Sequence, residues 1–185
     1  MKLTSKLEAE ILKVYHAYWD AYLKGDMKTF ASFLDDNISV VGTAVSEVFA
    51  DKKETVRFYK ATADQMTGKA QFRNRKIRLQ QMNDAVLTNE QSDLYILIDE
   101  KWTFYSHARI SVLFQQTKSG WKLVHQHGSF PDSRTEEGDQ IAAEQIKEEN
   151  LQLREAVKRL TVELESKNRE LEIDAPMHQI TVTKW

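Results

Sequence analysis

W-T-F-Y-S-H-A-R-I-S-V-L-F-Q-Q-T, residues 102–117, and W-K-L-V-H-Q-H-G-S-F, residues 121–130, decide the fold. In both, larger apolar residues interleave with polar or small ones at a period of two, which sends alternate side chains to opposite faces of a strand. Ser119-Gly120 supplies the turn between them and Pro131 ends the second. The same period runs through 70–82 and 85–98, with turn signals at Asn83-Asp84 and Asp99-Glu100. Four hairpin-linked strands follow, an antiparallel sheet that needs a cover for one of its faces.

The cover lies upstream. Leu7, Ile11, Val14, Tyr15, Tyr18, Trp19 and Tyr22 recur at three- and four-residue steps, one aromatic-rich face of a helix that Gly25 and Asp26 interrupt. Asp26 caps a short second helix through Met27, Phe30, Phe33 and Leu34, and Asn37 then opens the β-branched run Ile38–Val41. Asp51 and Glu54 form a capping box for a third helix carrying Val56, Phe58, Tyr59 and Met66 up to Gly68. Helices first and strands afterwards is α+β organisation.

Beyond Pro131 the character changes. Residues 132–140 are a polar linker, and from 141 to 173 a heptad seam places Ala143, Asn150, Val157, Leu164 and Leu171 at a and Ile146, Leu153 and Leu160 at d. Such a narrow stripe predicts a coiled coil rather than a helix packed on its own domain. Lys167 at d weakens the last heptad, Pro176 stops any helix, and 174–185 is read as a tail.

Composition narrows the function classes. With 41% hydrophobic and 29% charged residues over 185 positions, the chain holds one proper core. No charge-free run approaches the ~20 residues of a membrane span, and Lys6, Glu8 and Glu10 break the opening apolar pattern, so neither an anchor nor an export signal is expected and a cytoplasmic location is. Without cysteine, disulfides and thiolate chemistry are excluded. Residues 1–135 hold 19 basic against 16 acidic side chains and 136–172 hold 6 against 11, which leaves no nucleic-acid surface. The densest cations, Arg73, Arg75, Lys76 and Arg78, read as a solvated strand face.

The order of elements over about residues 5–131 resembles the nuclear transport factor 2-like superfamily, particularly its SnoaL-like branch. Three strings carry the likeness: A-Y-W-D-A-Y-L-K-G-D-M (17–27), V-G-T-A-V-S-E-V-F (41–49) and G-W-K-L-V-H-Q-H-G-S-F-P (120–131). The last is also similar to the final strand of the calcium/calmodulin-dependent kinase association domain. The tail string E-L-E-S-K-N-R-E-L-E-I (163–173) is similar to connectors in bacterial sensor proteins. The resemblance implies a cone-shaped cavity between sheet and helices, used for isomerase, cyclase or dehydratase chemistry in several members.

That cavity frames the candidate residues. Trp19, Tyr22, Tyr59, Tyr95 and Tyr105 stand on elements expected to line it and would suit a flat, mostly apolar ligand. By the likeness to the association domain, Arg109 would face the cavity and take an anion; an internal salt bridge to Glu90, Asp93 or Glu54 is the alternative. His125 and His127 share one strand face and would need Glu90 or Asp93 to tune them, and His107 is grouped with them as ligand-binding. No third ligand completes a metal site and no cofactor motif is present. The steroid-isomerase relatives place a base near the first strand, where this chain has Ile38–Gly42; Glu47 is the nearest later carboxylate, with nothing in its spacing to aim it inward.

The chain therefore reads as a non-catalytic, small-molecule-sensing and dimerisation module of a bacterial signalling protein, with a homodimer formed through sheet and coiled coil. The alternative is a small isomerase, cyclase or dehydratase. A scaffold with a filled cavity is the third reading.

Overall fold

The computed structural model describes residues 3–135, 138 and 141–174. The chain divides into two compact units, Met1–Pro131 and Asp132–Trp185.

In the first unit the helices begin where short polar side chains satisfy their free N–H groups. The Thr4 hydroxyl accepts from Leu7 N at 3.3 Å to open α1 (Ser5–Leu23). Asp26 accepts from Thr29 N at 3.0 Å to open α2 (Met27–Phe33), and these bonds hold its carboxyl below the usual carboxylate range. Asp51 accepts from Glu54 N at 2.7 Å to open α3 (Lys52–Met66), while Glu54 reaches back to Ala50 N. Gly25, at a φ of +75°, makes the turn between α1 and α2.

Six strands form one curved sheet: β1 (Leu34–Val41), β2 (Val48–Phe49), β3 (Ala70–Met82), β4 (Ala85–Ile98), β5 (Lys101–Thr117) and β6 (Gly120–Ser129), in the order β2-β1-β6-β5-β4-β3. The fold is α+β, as the sequence predicts, with two differences in detail. Leu34 begins the first strand instead of ending the second helix, and a short strand, β2, pairs with β1. One pairing is parallel, β1 against β6, with Ser39 opposite His125 and Val41 opposite His127. No hairpin joins these strands, so nothing obliges them to run antiparallel.

On β4 and β5 the inner face is set by alternation. Val86, Thr88, Glu90, Ser92 and Leu94, with Ala108, Ile110, Val112 and Phe114, are buried beneath the helices. The odd-numbered residues between them face outward. On β3 the phase flips: Asn74, at a φ of +52°, marks a bulge between the pairs Arg73–Asp93 and Lys76–Gln91. Ala70 and Phe72 point inward before it; Arg75, Ile77 and Leu79 do so after it.

The bulge corrects the reading of the basic run as a solvated face. Arg73, Lys76 and Arg78 are exposed, but Arg75 turns in to clamp Glu90, with Nε 2.9 Å from Oε1 and Nη2 2.7 Å from Oε2. Tyr15 on α1 donates to the same carboxylate at 2.7 Å. Glu90 is 2% exposed, so its charge is tolerable only because Arg75 and Tyr15 meet it.

Tyr15, Tyr18, Trp19 and Tyr22 form the aromatic floor of the core, with Tyr18 stacked on Phe30 at a centroid distance of 4.9 Å. Burial raises the pKa of all four buried tyrosines: Tyr15 and Tyr59 well up, Tyr18 likewise, and Tyr22 to about 12.

In the second unit, α4 runs from Ala143 to Asp174, and the apolar seam expected of a coiled coil lies on its surface: Leu153, Val157, Leu160, Leu164 and Leu171 are each more than half exposed. Of the expected linker, positions 136, 137, 139 and 140 lie outside the described residues, as does the expected tail beyond Asp174 with its Pro176.

Two outcomes follow from the core. Arg75→Met should destabilise the first unit by about 3–5 kcal/mol in urea unfolding, because Glu90 stays buried without its cation, while Arg75→Met with Glu90→Leu should recover most of that loss. Equal losses in the single and double variants would mean that the loss does not come from an unpaired Glu90 charge. The raised tyrosines favour the neutral form in the folded state. Their contribution is whole below the ordinary tyrosine pKa of about 10 and is lost as pH rises through the raised folded values. Absorbance at 295 nm should therefore show these rings ionising together with the loss of near-ultraviolet circular dichroism, and reversible ionisation in an intact fold would contradict the packing.

Candidate functional site

A cleft of about 370 Å³ opens on the inner face of the sheet, within the range of small-molecule sites. Its apolar wall includes Trp19, Phe58, Met66, Phe72, Leu94 and Ile110. Its mouth carries Tyr105 and Phe130, both exposed and in edge contact at a centroid distance of 5.6 Å.

Helical spacing aims the α1 residues. Tyr15, Trp19 and Tyr22 fall at i, i+4 and i+7 on one stripe, so the bond from Tyr15 to Glu90 also fixes the two rings that reach the cleft. Tyr22 meets Tyr59 of α3 edge-on at 4.9 Å. The indole Nε1 of Trp19 is buried without a partner among the described residues.

The polar part of the cleft holds two hydrogen-bonded groups. Tyr18 donates to Gln126 Oε1 at 2.6 Å, and Gln126 Nε2 donates to the Tyr59 hydroxyl at 2.9 Å. Glu47, on the turn between β1 and β2, accepts from Thr43 N at 2.8 Å and Ala44 N at 3.3 Å through Oε2. Its carboxylate folds over Gly42, where any Cβ would lie 2.7 Å from the Glu47 Cβ, so only glycine leaves the space. The charge of Glu47 adds to burial in raising both Tyr22 and Tyr59, which places the three groups in one electrostatic neighbourhood.

Of the ten residues singled out by sequence, Trp19, Tyr22, Tyr59, Tyr105 and Arg109 border this cleft. Arg109 does so from the rim: it is exposed on β5, between inward-facing Ala108 and Ile110, and makes no ion pair among the described residues. The expected salt bridges do not form, because Glu90 is taken by Arg75, Asp93 by Asn74 and His107, and Glu54 by the start of α3. Glu90 itself is structural and does not line the cleft.

Tyr95, His107, His125 and His127 belong to the outer face. Tyr95 lies under Arg73 at 4.1 Å. His125 and His127 flank the inward-facing Gln126 and so point away from it. Their expected tuning by Glu90 or Asp93 fails on topology, since β5 lies between β6 and β4. Asp93 instead accepts from Asn74 at 2.7 Å and lies 2.8 Å from His107 Nδ1; these two contacts hold its carboxyl below the usual range. That pair lines a shallow groove of about 800 Å³ with Lys76, Gln91 and Arg109. Among the described residues no group of three or more His, Asp or Glu stands close enough to hold a metal ion, and His178 lies outside them.

Sequence reasoning names Glu47 with nothing to aim it inward, and passes over Gln126 and the part played by Gly42. The signal for Gln126 was available: if two histidines point outward, the residue between them points in, and a buried amide must have partners.

Comparison with curated protein sequences gives no match. Among solved structures, the chain is similar to an NTF2-like protein of unknown function from Pseudomonas putida (16% identity, TM-score 0.62, 71% of this chain and 92% of that one). It is also similar to an NTF2-like family protein from Streptomyces avermitilis provisionally named a dehydratase (19%, 0.59, 68% and 96%). At these identities the likeness is one of fold. Residues 11–133 match the profile of the SnoaL-like domain, and the chain belongs to that family.

Proposed function

We propose that this chain is a small-molecule-sensing and dimerisation module of a signalling protein, with the cleft as its input and α4 as the element that pairs two copies. The observation that carries this reading is the exposed seam of α4: Leu153, Val157, Leu160 and Leu164 present an apolar stripe over several heptads of a 32-residue helix. In water such a stripe calls for a partner, and a second copy of the same helix matches it in length, spacing and charge.

The pairing is parallel. Asn150 occupies an a position between Ile146 and Leu153, where an amide is tolerated when it meets its own copy in register. In a single helix its Nδ2 donates to Ile146 O at 2.8 Å, a bond that pairing would exchange for one across the seam. Register then sets Glu149 at g opposite Arg154 at e, worth about 0.3 kcal/mol, too little to drive assembly but of the right sign.

A second reading, a small isomerase or dehydratase, is favoured by one feature, the Glu47 carboxylate set in the cleft beside two tyrosines. The similar Streptomyces avermitilis protein is provisionally named a dehydratase. The helix separates the readings, because an enzyme working alone in the cleft has no use for a long apolar seam.

Light scattering at micromolar concentration should give about twice 21.5 kDa. Val157→Cys should then crosslink to its own copy under mild oxidation, since a positions face each other in a parallel pair. A monomeric mass, or a dimer that does not crosslink, would remove the pairing helix from the account.

A further inference from the structure

Glu47 and Tyr59 present an unusual combination in the cleft. The Glu47 carboxylate is pinned through Oε2 by Thr43 N and Ala44 N, which leaves Oε1 without a partner among the described residues. The Tyr59 hydroxyl accepts from Gln126 Nε2, and Gln126 Oε1 is already occupied by Tyr18. Among the described residues the Tyr59 hydroxyl donates to no acceptor, so its hydrogen remains free to donate. Beside its apolar wall the cleft thus offers a charged acceptor at Glu47 and a donor at Tyr59, with the Trp19 indole N–H buried in the wall and the Arg109 guanidinium at the rim.

We infer that the cleft recognises a flat apolar molecule ending in a neutral group that both donates and accepts, a hydroxyl above all, with Glu47 accepting from it and Tyr59 donating to it. This rests on the reading of the cleft as a ligand site and reverses the expectation of an anionic ligand held by Arg109. A carboxylate would meet the Glu47 charge in a partly desolvated place, where like charges repel strongly. An ammonium would satisfy Glu47 and leave Tyr59 without an acceptor. A hydrocarbon would leave both polar groups unmet on desolvation, which costs more than an ordinary hydrogen bond gains. Only the donor-acceptor group answers both.

Glycine at position 42 is part of the device. Its missing Cβ is the space in which the Glu47 side chain lies, so the carboxylate is positioned by the turn and not by the ligand.

The experiment uses the full chain and three probes sharing one ring system: 2-naphthol, 2-naphthoate and naphthalene, titrated by calorimetry and by fluorescence. The wild type should bind 2-naphthol at least about tenfold more tightly than either of the others. Glu47→Gln removes the charge and, with its one carbonyl oxygen taken by Thr43 N and Ala44 N, turns an amide donor toward the ligand, so it should weaken 2-naphthol binding and admit 2-naphthoate. Gly42→Ala, which displaces the carboxylate, should act in the same direction. Tyr59→Phe should weaken 2-naphthol by several-fold without changing naphthalene. Circular dichroism confirms that each variant is folded. Preferential binding of 2-naphthoate by the wild type, or unchanged selectivity in Glu47→Gln, overturns the inference and leaves the cleft as a site with another anchor. Binding by none of the three overturns the reading of the cleft as a ligand site as well.

Discussion

The structure depends on one buried charge. Glu90 sits on the inner face of β4, essentially without access to water, where an unpaired carboxylate would cost far more than a domain of this size has to spare. It is held by the paired nitrogens of Arg75 and by the Tyr15 hydroxyl. These three groups come from β4, from the edge strand β3 and from α1. Satisfying the charge therefore fixes the helix over the far side of the sheet, and Arg75 can reach it only because the bulge at Asn74 flips the facing of β3. A local irregularity and a long-range contact are the same constraint seen at two scales.

From that anchor the cleft follows by helical geometry. Tyr15 bound to Glu90 sets the rotation of α1, and Trp19 and Tyr22, one and two turns further on, are aimed along the sheet into the cleft. A second tie, from Tyr18 through Gln126 to Tyr59, joins α1 to β6 and α3. Between the two ties the aromatic wall has little freedom, and the polar groups left over are the ones that face the cleft. Preorganisation of this kind lets a few groups discriminate between ligands, because their positions do not have to be set at binding.

Much of the fold was legible in sequence because it rests on periodicity. The strands 70–82 and 85–98 coincide with β3 and β4, since turn residues at Asn83-Asp84 and Asp99-Glu100 mark their ends in a way that packing does not alter. The candidate site was legible only by half. Alternation tells that two residues share a face but not which face is inner, so His125 and His127 were grouped correctly with each other and wrongly with the cavity. Arg75 was misread because a bulge leaves no strong mark: Asn74 tolerates a positive φ, but nothing in R-N-R-K announces that the phase will change there. Glu47 was set aside because its direction comes from two backbone N–H groups and an absent Cβ at Gly42, features of a folded turn that spacing does not encode.

The central claim is that the inner cleft, framed by the Glu90 anchor, is where a ligand sits, and that the polar groove of the outer face is not. The four tryptophans offer direct reporters, because Trp19 lines the cleft while Trp102 lies on the outer side with Arg73 and Tyr95. In nitrogen-15-labelled protein, with the indole signals assigned by Trp19→Phe and Trp102→Phe, titration with 2-naphthol should shift the Trp19 indole N–H and leave that of Trp102 in place. Movement of Trp102 with Trp19 unmoved would contradict the account and place binding on the outer face.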